Sequence, residues 1–151
     1  MAATVTTIEI DRPQAQVFAY VTDPSRFSEW QTGVVDGRMS GTGTPTVGSA
    51  CVQTRRIGGA NRSSTSVLTK IEPPTSWSVR GTTGPIRAFV DVTVEPLGDS
   101  RSRATIAVDF EGHGIGKLLV PLVVRRQTAK EMPANFQRLK QRLEETSAAP
   151  S

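Results

Sequence analysis

The stretch VTDPSRFSEW, residues 21–30, breaks a helix and at once restarts it. Residues 13–21 carry apolar side chains at helical spacing, and the residue before a proline avoids the α region, so Asp23 ends this first helix. Asp23 can then cap a second short helix over residues 24–30, with Pro24 in its first turn. The stretch therefore predicts two short helices that meet at a corner.

The large rings of the chain are concentrated at this corner. The chain has 5 Phe, 2 Trp and 1 Tyr, and three of these rings (Tyr20, Phe27 and Trp30) fall within residues 20–30. Phe27 and Trp30 are three residues apart, so they share one face of the second helix. We expect Asp11 or a neighbour to cap the first helix.

Strand-like segments separated by turn residues surround the two helices. TVTTIEI, at Thr4–Ile10, predicts one strand before them, and six more follow at the spacing of hairpins, which predicts an antiparallel meander. In the last two segments apolar and polar residues alternate, so one face is buried and the other meets water. We expect these six strands at Val34–Ser40, Ala50–Ile57, Ser63–Ile71, Trp77–Arg80, Ile86–Glu95 and Arg103–Glu111.

A long amphipathic helix follows the strands. Apolar residues step by three and four from Ile115 to Leu143, interrupted by Pro121 and Pro133. A proline removes one helical hydrogen bond, so Pro133 is expected to free the carbonyl of Ala129 and to bend the helix. Only this helix is large enough to cover the sheet. We therefore predict an α+β fold in which a curved seven-stranded antiparallel sheet wraps around it, with the short helices closing one end.

Composition limits the classes of protein that fit. With 36% hydrophobic and 21% charged residues, the chain is expected to form one folded domain over residues 1–146 with a disordered tail at 147–151. No apolar run approaches the roughly 20 residues of a membrane span, and the first residues lack the pattern of a signal peptide. The single cysteine, Cys51, excludes an internal disulfide and favours a cytoplasmic location.

The net charge of +4 falls on the C-terminal segment. Residues 115–146 contain seven basic and three acidic residues, while the basic and acidic residues elsewhere cancel. A solvated outer helix face accounts for this surplus, and an anionic lipid or nucleic acid is the alternative. No aromatic residue alternates with the charges to stack on bases, so we expect no nucleic-acid partner.

Catalytic and metal-binding motifs are weak in this sequence. Catalysis by Cys51 needs a partner that lowers its pKa, and the one histidine, His113, lies in a glycine-rich turn where it would simply tolerate a positive φ. His113 can alternatively act as an acid or base. There is no nucleophile elbow, no metal-ligand spacing and no phosphate loop, so we expect no metal and no cofactor.

The chain resembles the SRPBCC (START-like, helix-grip) superfamily, and in particular its bacterial polyketide cyclase/dehydrase type. The resemblance covers nearly the whole chain. The stretches that carry it are IEIDRPQAQVFAYVTDPSRFSEW, VGSACVQTRRIGG, VLTKIEPPTSWSVRGTTGPI, TVEPLGDSRSRATIAVDFE and GIGKLLVPLVVRRQ…NFQRLKQRLEE. The resemblance implies an apolar cavity, but its members include lipid carriers, hormone receptors, cyclases, dehydratases and chaperone-binding modules, so it does not fix the function. Several positions that are often large in similar proteins are small here, namely Ala50, Cys51, Ser64, Ser66 and Ala88.

We therefore predict that the protein binds a small hydrophobic or aromatic molecule, lipid- or polyketide-like, in a cavity between the sheet and the last helix. A cyclase or dehydratase acting on such a molecule is the alternative, and the chain is expected to be a monomer or homodimer. Core packing is the alternative interpretation of the aromatic candidates. The polar candidates line the cavity only if their face of the strand points inward. The candidate ligand-binding residues are Phe27, Trp30, Cys51, Gln53, Arg55, Trp77, Val79, Val90, Val92, Ile106, Val108, Leu118, Leu122 and Phe136.

Overall fold

The computed structural model describes residues 4–40, 44–57, 59–84, 86–115, 117 and 124–146. The strands are β1 (Thr4–Ile10), β2 (Val34–Met39), β3 (Ala50–Ile57), β4 (Ala60–Glu72), β5 (Ser76–Gly81), β6 (Ile86–Pro96) and β7 (Ser102–Gly112). The helices are α1 (Gln14–Val21), a 3₁₀ turn (Pro24–Arg26), α2 (Phe27–Trp30) and α3 (Arg125–Thr146).

The seven strands form one antiparallel sheet in the order β1-β7-β6-β5-β4-β3-β2. The meander from β2 to β7 pairs each strand with the next, and β1 pairs with β7 in a register that places Thr4 opposite Val108. The sheet curls around α3, which confirms the predicted helix-grip fold. The predicted strands all exist, although β4 begins at Ala60 rather than Ser63.

The corner between the short helices forms as predicted. Asp23 caps the 3₁₀ turn by accepting a hydrogen bond from the backbone N–H of Ser25 at 3.0 Å, and Pro24 follows it at the first position. The Tyr20 hydroxyl donates to Glu29 at 2.7 Å and ties α1 to α2. These contacts fix the direction in which α2 approaches the sheet.

The corner lies directly against β2. A Cβ atom at Gly37 would overlap with the carbonyl oxygen of Pro24, so only glycine allows the turn to approach the strand this closely. The turn therefore packs closely against the face of β2, an edge strand of the sheet.

The C-terminal part of α3 is fixed to the other edge strand. Lys140 donates to the carbonyl of Glu9 at 2.8 Å, and Glu144 accepts from the backbone N–H of Asp11 at 2.9 Å. The Arg12 guanidinium donates to the carbonyls of Leu143 and Glu144, two of the groups that a helix end leaves without partners. One of the basic residues of the C-terminal segment, Lys140, therefore stabilises the packing of α3 against β1.

Three details differ from the expectations. Asp11 does not cap α1, because Pro13 occupies the N-cap position and no side chain forms a capping hydrogen bond. The backbone N–H of Asp11 instead donates to Glu144 of α3. Ile115 was expected to begin the apolar stripe of the long helix, but it lies in a turn and is 66% exposed. The positive φ in the glycine-rich turn belongs to Gly114, at 61°, and not to His113.

Some expectations fall on residues that the structure does not describe. Leu118, Pro121 and Leu122 of the predicted long helix lie outside the described residues, as does the tail at 147–151. Pro133 lies inside α3, which continues past it. The bend predicted there, and the single domain over residues 1–146, stay predictions.

Candidate functional site

The concave face of the sheet holds the candidate site. Cys51 is 2% exposed and lies opposite Met39 on one side and Ser66 on the other. Because side chains alternate along a strand, Gln53 and Arg55 share its inward direction. Thr54 points to the opposite face, where its hydroxyl meets that of Ser63 at 3.1 Å. The structure thus settles the inward face of β3, which the sequence left open.

One end of the concave face is packed. Trp77, Val92 and Ile106 lie side by side on β5, β6 and β7, and each is at most 4% exposed. Phe27 packs edge-on against Trp77, with ring centroids 6.3 Å apart and planes at 81°. Phe136 of α3 closes this region from the helix side and is 1% exposed. This end is hydrophobic core.

The other end of the concave face is lined by small side chains. Cys51, Ser66, Gly81 and Ala88 follow one another across β3, β4, β5 and β6; we call these four residues the small-residue row. Phe110 of β7 lies opposite Ala88 and continues the row. Apart from Cys51, these residues are only partly buried, in contrast to the packed end. The row therefore contributes little side-chain volume to this end of the concave face.

A positive charge lies beside this row. The Arg55 guanidinium donates to Gln31 Oε1 at 2.7 Å. Burial lowers the pKa of Arg55, and the negative charge of Glu131 on α3 opposes that shift. An arginine remains protonated in proteins, so Arg55 is a cation held in a partly desolvated place. It forms no salt bridge within the part of the chain that the structure describes.

A buried amide holds the loop that positions Arg55. Asn135 of α3 is 7% exposed, and its Oδ1 accepts hydrogen bonds from the backbone N–H of Thr32 at 3.1 Å and from the Thr32 hydroxyl at 2.8 Å. Gln31, the partner of Arg55, is the preceding residue. The helix, the loop after α2 and β3 are thus joined through polar contacts.

Two buried polar atoms in this region have no hydrogen-bond partner among the described residues. They are Trp30 Nε1, a donor, and Gln53 Oε1, an acceptor. Leaving a buried polar atom unpaired costs about 1–3 kcal/mol, so these two atoms call for a partner beyond the described residues. Trp30 is held rigidly, because its ring packs against Phe27 at 6.0 Å and against Phe136 at 6.2 Å.

The nucleophile and acid–base candidates are poorly placed for catalysis. Burial raises the pKa of the Cys51 thiol, and a hydrogen bond with Ser66 lowers it by less, so the thiol stays protonated. His113 lies at the partly exposed end of β7 and contacts Glu111 at 2.6 Å. Within the described residues, no three His, Cys, Asp or Glu side chains cluster in a way that could hold a metal ion.

The predicted site residues divide into three groups. Gln53, Arg55 and Val90 are partly buried on the concave face. Leu118 and Leu122 lie outside the described residues. The others are buried, which fits core packing as well as contact with a ligand: Phe27, Trp30, Cys51, Trp77, Val79, Val92, Ile106, Val108 and Phe136.

The sequence-based candidate set missed three residues of this region. Phe110 follows Val108 in the same alternating pattern, so its inward direction was available from the sequence. Gln31 and Asn135 gave no such signal, because their roles depend on contacts between segments far apart in the chain.

Comparison with known proteins places this geometry in a family. No curated protein sequence matches the chain. Among solved structures, it is similar to the Zhui aromatase/cyclase from Streptomyces, with a TM-score of 0.76 and 14% identity over 97% of this chain and 96% of that one. A START superfamily protein from Mycobacterium smegmatis gives a TM-score of 0.76 and 12% identity over 97% and 99% of the two chains.

The di-domain ARO/CYC protein BexL gives a TM-score of 0.74 and 16% identity over 99% of this chain. The chain spans only 48% of the length of BexL. At such identities these similarities show the fold alone. Among the described residues, no helix is long and apolar enough to cross a membrane. A family model described as polyketide cyclase/dehydrase and lipid transport matches residues 1–144, and the chain therefore belongs to that family.

Proposed function

We propose that the protein binds a small hydrophobic or aromatic molecule, lipid- or polyketide-like, on the concave face between the small-residue row and α3. The polar end of this molecule carries an anionic or hydroxyl oxygen that contacts Arg55. A cytoplasmic location, which the single cysteine favours, is part of this proposal.

The observation that carries the proposal is the pair of buried atoms Trp30 Nε1 and Gln53 Oε1, which have no hydrogen-bond partner in the described part of the chain. A ligand atom that accepts a hydrogen bond would satisfy Trp30 Nε1, and a ligand atom that donates one would satisfy Gln53 Oε1. The small-residue row supplies the space and Phe110 an apolar wall, as in ligand sites that combine a mostly apolar lining with a few oriented polar groups.

Arg55 sets the chemistry of the polar end of the ligand. It forms no salt bridge in the described chain, and Glu131 of α3 acts on it only from beyond salt-bridge distance, so an anion on a ligand would be its first direct ionic partner. Gln31 and the loop held by Asn135 keep the guanidinium in place before the ligand arrives, which reduces the entropy lost on binding. A carboxylate or a phenolate fits this place.

A cyclase or dehydratase activity is the second candidate, and one observation favours it. A fixed cation beside a bound ketone would stabilise the enolate that forms when a proton leaves the neighbouring carbon. The protonated Cys51 thiol offers no nucleophile for such a reaction. Arg55 would therefore act by electrostatic stabilisation and substrate positioning.

Two adjacent arginines provide a matched test of the binding proposal. Arg55 points inward, whereas Arg56 is exposed on the opposite face of the same strand. Two related fluorescent probes differ in one group: anilinonaphthalene sulfonate carries an anion, and phenylnaphthylamine has similar rings without it. We would titrate both probes into the wild type, Arg55→Gln and Arg56→Gln.

We expect Arg55→Gln to weaken binding of the sulfonate probe about tenfold or more, because a hydrogen bond to a charged group is worth about 1.5–3 kcal/mol. Binding of the neutral probe should change little, and Arg56→Gln should resemble the wild type with both probes. Equal losses in the two variants, or an unchanged affinity of Arg55→Gln for the sulfonate, would refute the assignment of Arg55.

A further inference from the structure

The exposed side of α3 carries a line of positive charge. The opposite side of the helix is buried in the core through Met132, Phe136, Leu139 and Leu143. Exposed basic side chains recur at intervals of four or eight residues, so they follow one continuous ridge of the helix surface. We call these four residues the basic ridge: Arg126, Lys130, Arg138 and Arg142.

The basic ridge is long, and few negative charges lie beside it. At a rise of about 1.5 Å per residue, its two ends at Arg126 and Arg142 are about 24 Å apart along the helix axis. Among the described side chains of α3, Glu145 is the only exposed acidic one, and the other glutamates, Glu131 and Glu144, are half-buried. The exposed side of the helix therefore has a net positive charge.

Two residues of the basic ridge have no ionic partner in the described part of the chain. Elsewhere on the surface opposite charges are paired, as where the Arg103 guanidinium contacts Glu9 and Glu95, each at 3.2 Å. None of the ion pairs found among the described residues includes Arg126 or Lys130. Their charges are therefore available to an anionic partner.

Arg138 is oriented by the end of α2. Its guanidinium donates to the backbone carbonyl of Trp30, the last residue of that helix, at 3.4 Å. A carbonyl is a neutral acceptor, so this contact fixes the direction of the side chain without cancelling its positive charge.

The chemistry of the basic ridge favours a membrane surface over a nucleic acid. Proteins that bind single-stranded nucleic acid stack the bases on aromatic side chains. Phe136, the one aromatic residue in the sequence of α3, is 1% exposed and cannot serve in this way. Lipid headgroups diffuse within a bilayer, so they can gather beneath a line of fixed charges without any required spacing.

We propose that the basic ridge docks the protein on the surface of a membrane that contains anionic phospholipids. Each Lys or Arg close to such a surface strengthens binding about fivefold, so four of them together make a measurable contribution. Because the attraction is between exposed charges, it weakens as the salt concentration rises. Docking concerns the outer side of α3 and does not depend on the ligand proposed for the concave face.

Two double variants that remove the same charge provide a matched test. Arg126→Gln with Lys130→Gln takes two charges from the basic ridge, whereas Arg38→Gln with Arg62→Gln takes two from β2 and β4. All four side chains are exposed, and glutamine suits a helix about as well as arginine or lysine, so both variants should fold. A thermal melt checks this. Binding is measured by sedimentation with vesicles of phosphatidylcholine, alone or mixed with phosphatidylserine.

We expect the wild type to sediment with the phosphatidylserine vesicles at low salt, and not with phosphatidylcholine alone or at high salt. The ridge variant should bind at least tenfold more weakly, and the control variant should bind as the wild type does. No binding of the wild type to phosphatidylserine vesicles at low salt, or equal losses in the two variants, would overturn the proposal.

A single-stranded RNA of mixed sequence, titrated at the same low salt, tests the competing partner. RNA binding without vesicle binding would replace the membrane by a nucleic acid and would also overturn the proposal. The fluorescent probes and the Arg55 variants report on the concave face, so failure of membrane docking is distinguishable from failure of ligand binding.

Discussion

Enlarging Ala88 tests whether space exists above the small-residue row. Ala88 lies in that row on β6 and is partly buried, whereas Ala104 lies on the same concave face of β7 and is completely buried. Ala88→Leu and Ala104→Leu therefore make the same change in an open place and in a packed place. The sign of the change in stability should differ between them.

The magnitudes follow from the burial of each site. At roughly 0.8 kcal/mol per buried CH₂, the three extra carbons of leucine are worth about 2.4 kcal/mol when fully buried. The partly open surroundings of Ala88 reduce this gain to about 1 kcal/mol. At Ala104 no space is available, and overpacking a filled core costs about 1–3 kcal/mol.

Urea denaturation and probe titration measure both effects. Ala88→Leu should be as stable as the wild type or up to about 1 kcal/mol more stable, which for a domain of this size raises the Tm by about 2–4 °C. It should also bind phenylnaphthylamine more weakly, because the side chain occupies the ligand space. If Ala88→Leu is destabilised as much as Ala104→Leu, the row is packed and the reasoning fails.

Three further predictions concern other parts of the fold. The hydrogen bond from the Asp11 backbone and the contact with Lys140 hold the pKa of Glu144 below its usual value. The stability that this carboxylate contributes is therefore present at neutral pH and is lost as the pH falls through the lowered pKa. Glu144→Gln should lose about 0.5 kcal/mol at pH 7 relative to Glu145→Gln in urea denaturation, and less in acid. Gly37→Ala should destabilise by about 1–3 kcal/mol, measured in the same way, because its Cβ overlaps with the turn. Cys51 should react with iodoacetamide at pH 8 far more slowly in the folded protein than in urea, since its thiol is buried and protonated.

For strands in which polar and apolar residues strictly alternate, the sequence predicted both the position of the strand and which of its faces is buried. β6 and β7 show apolar residues at every second position, and the structure buries Val92, Val94, Ile106 and Val108 as that pattern requires. β3 was different, because ACVQTRRI mixes polar and apolar residues on both faces. Its inward face is decided by its neighbours on β2 and β4, which a single strand does not encode.

Contacts between distant segments could not be predicted from local patterns. Arg12 lies next to Asp11, where the sequence indicated a helix cap, yet its guanidinium holds the end of α3. Similarly, the position of Arg55 depends on Gln31, and the loop at Gln31 depends on Asn135. Local chemistry predicted the elements and the corner at Asp23, whereas the polar part of the site arises only when the sheet closes around α3.

The most direct test of the account is a high-resolution crystal structure of the protein purified from its native host. We expect additional electron density above the small-residue row, with an oxygen atom near the Arg55 guanidinium and polar atoms within hydrogen-bond distance of Trp30 Nε1 and Gln53 Oε1. A concave face filled by the protein's own side chains, with Trp30 and Gln53 paired within the chain, would contradict the proposed binding function.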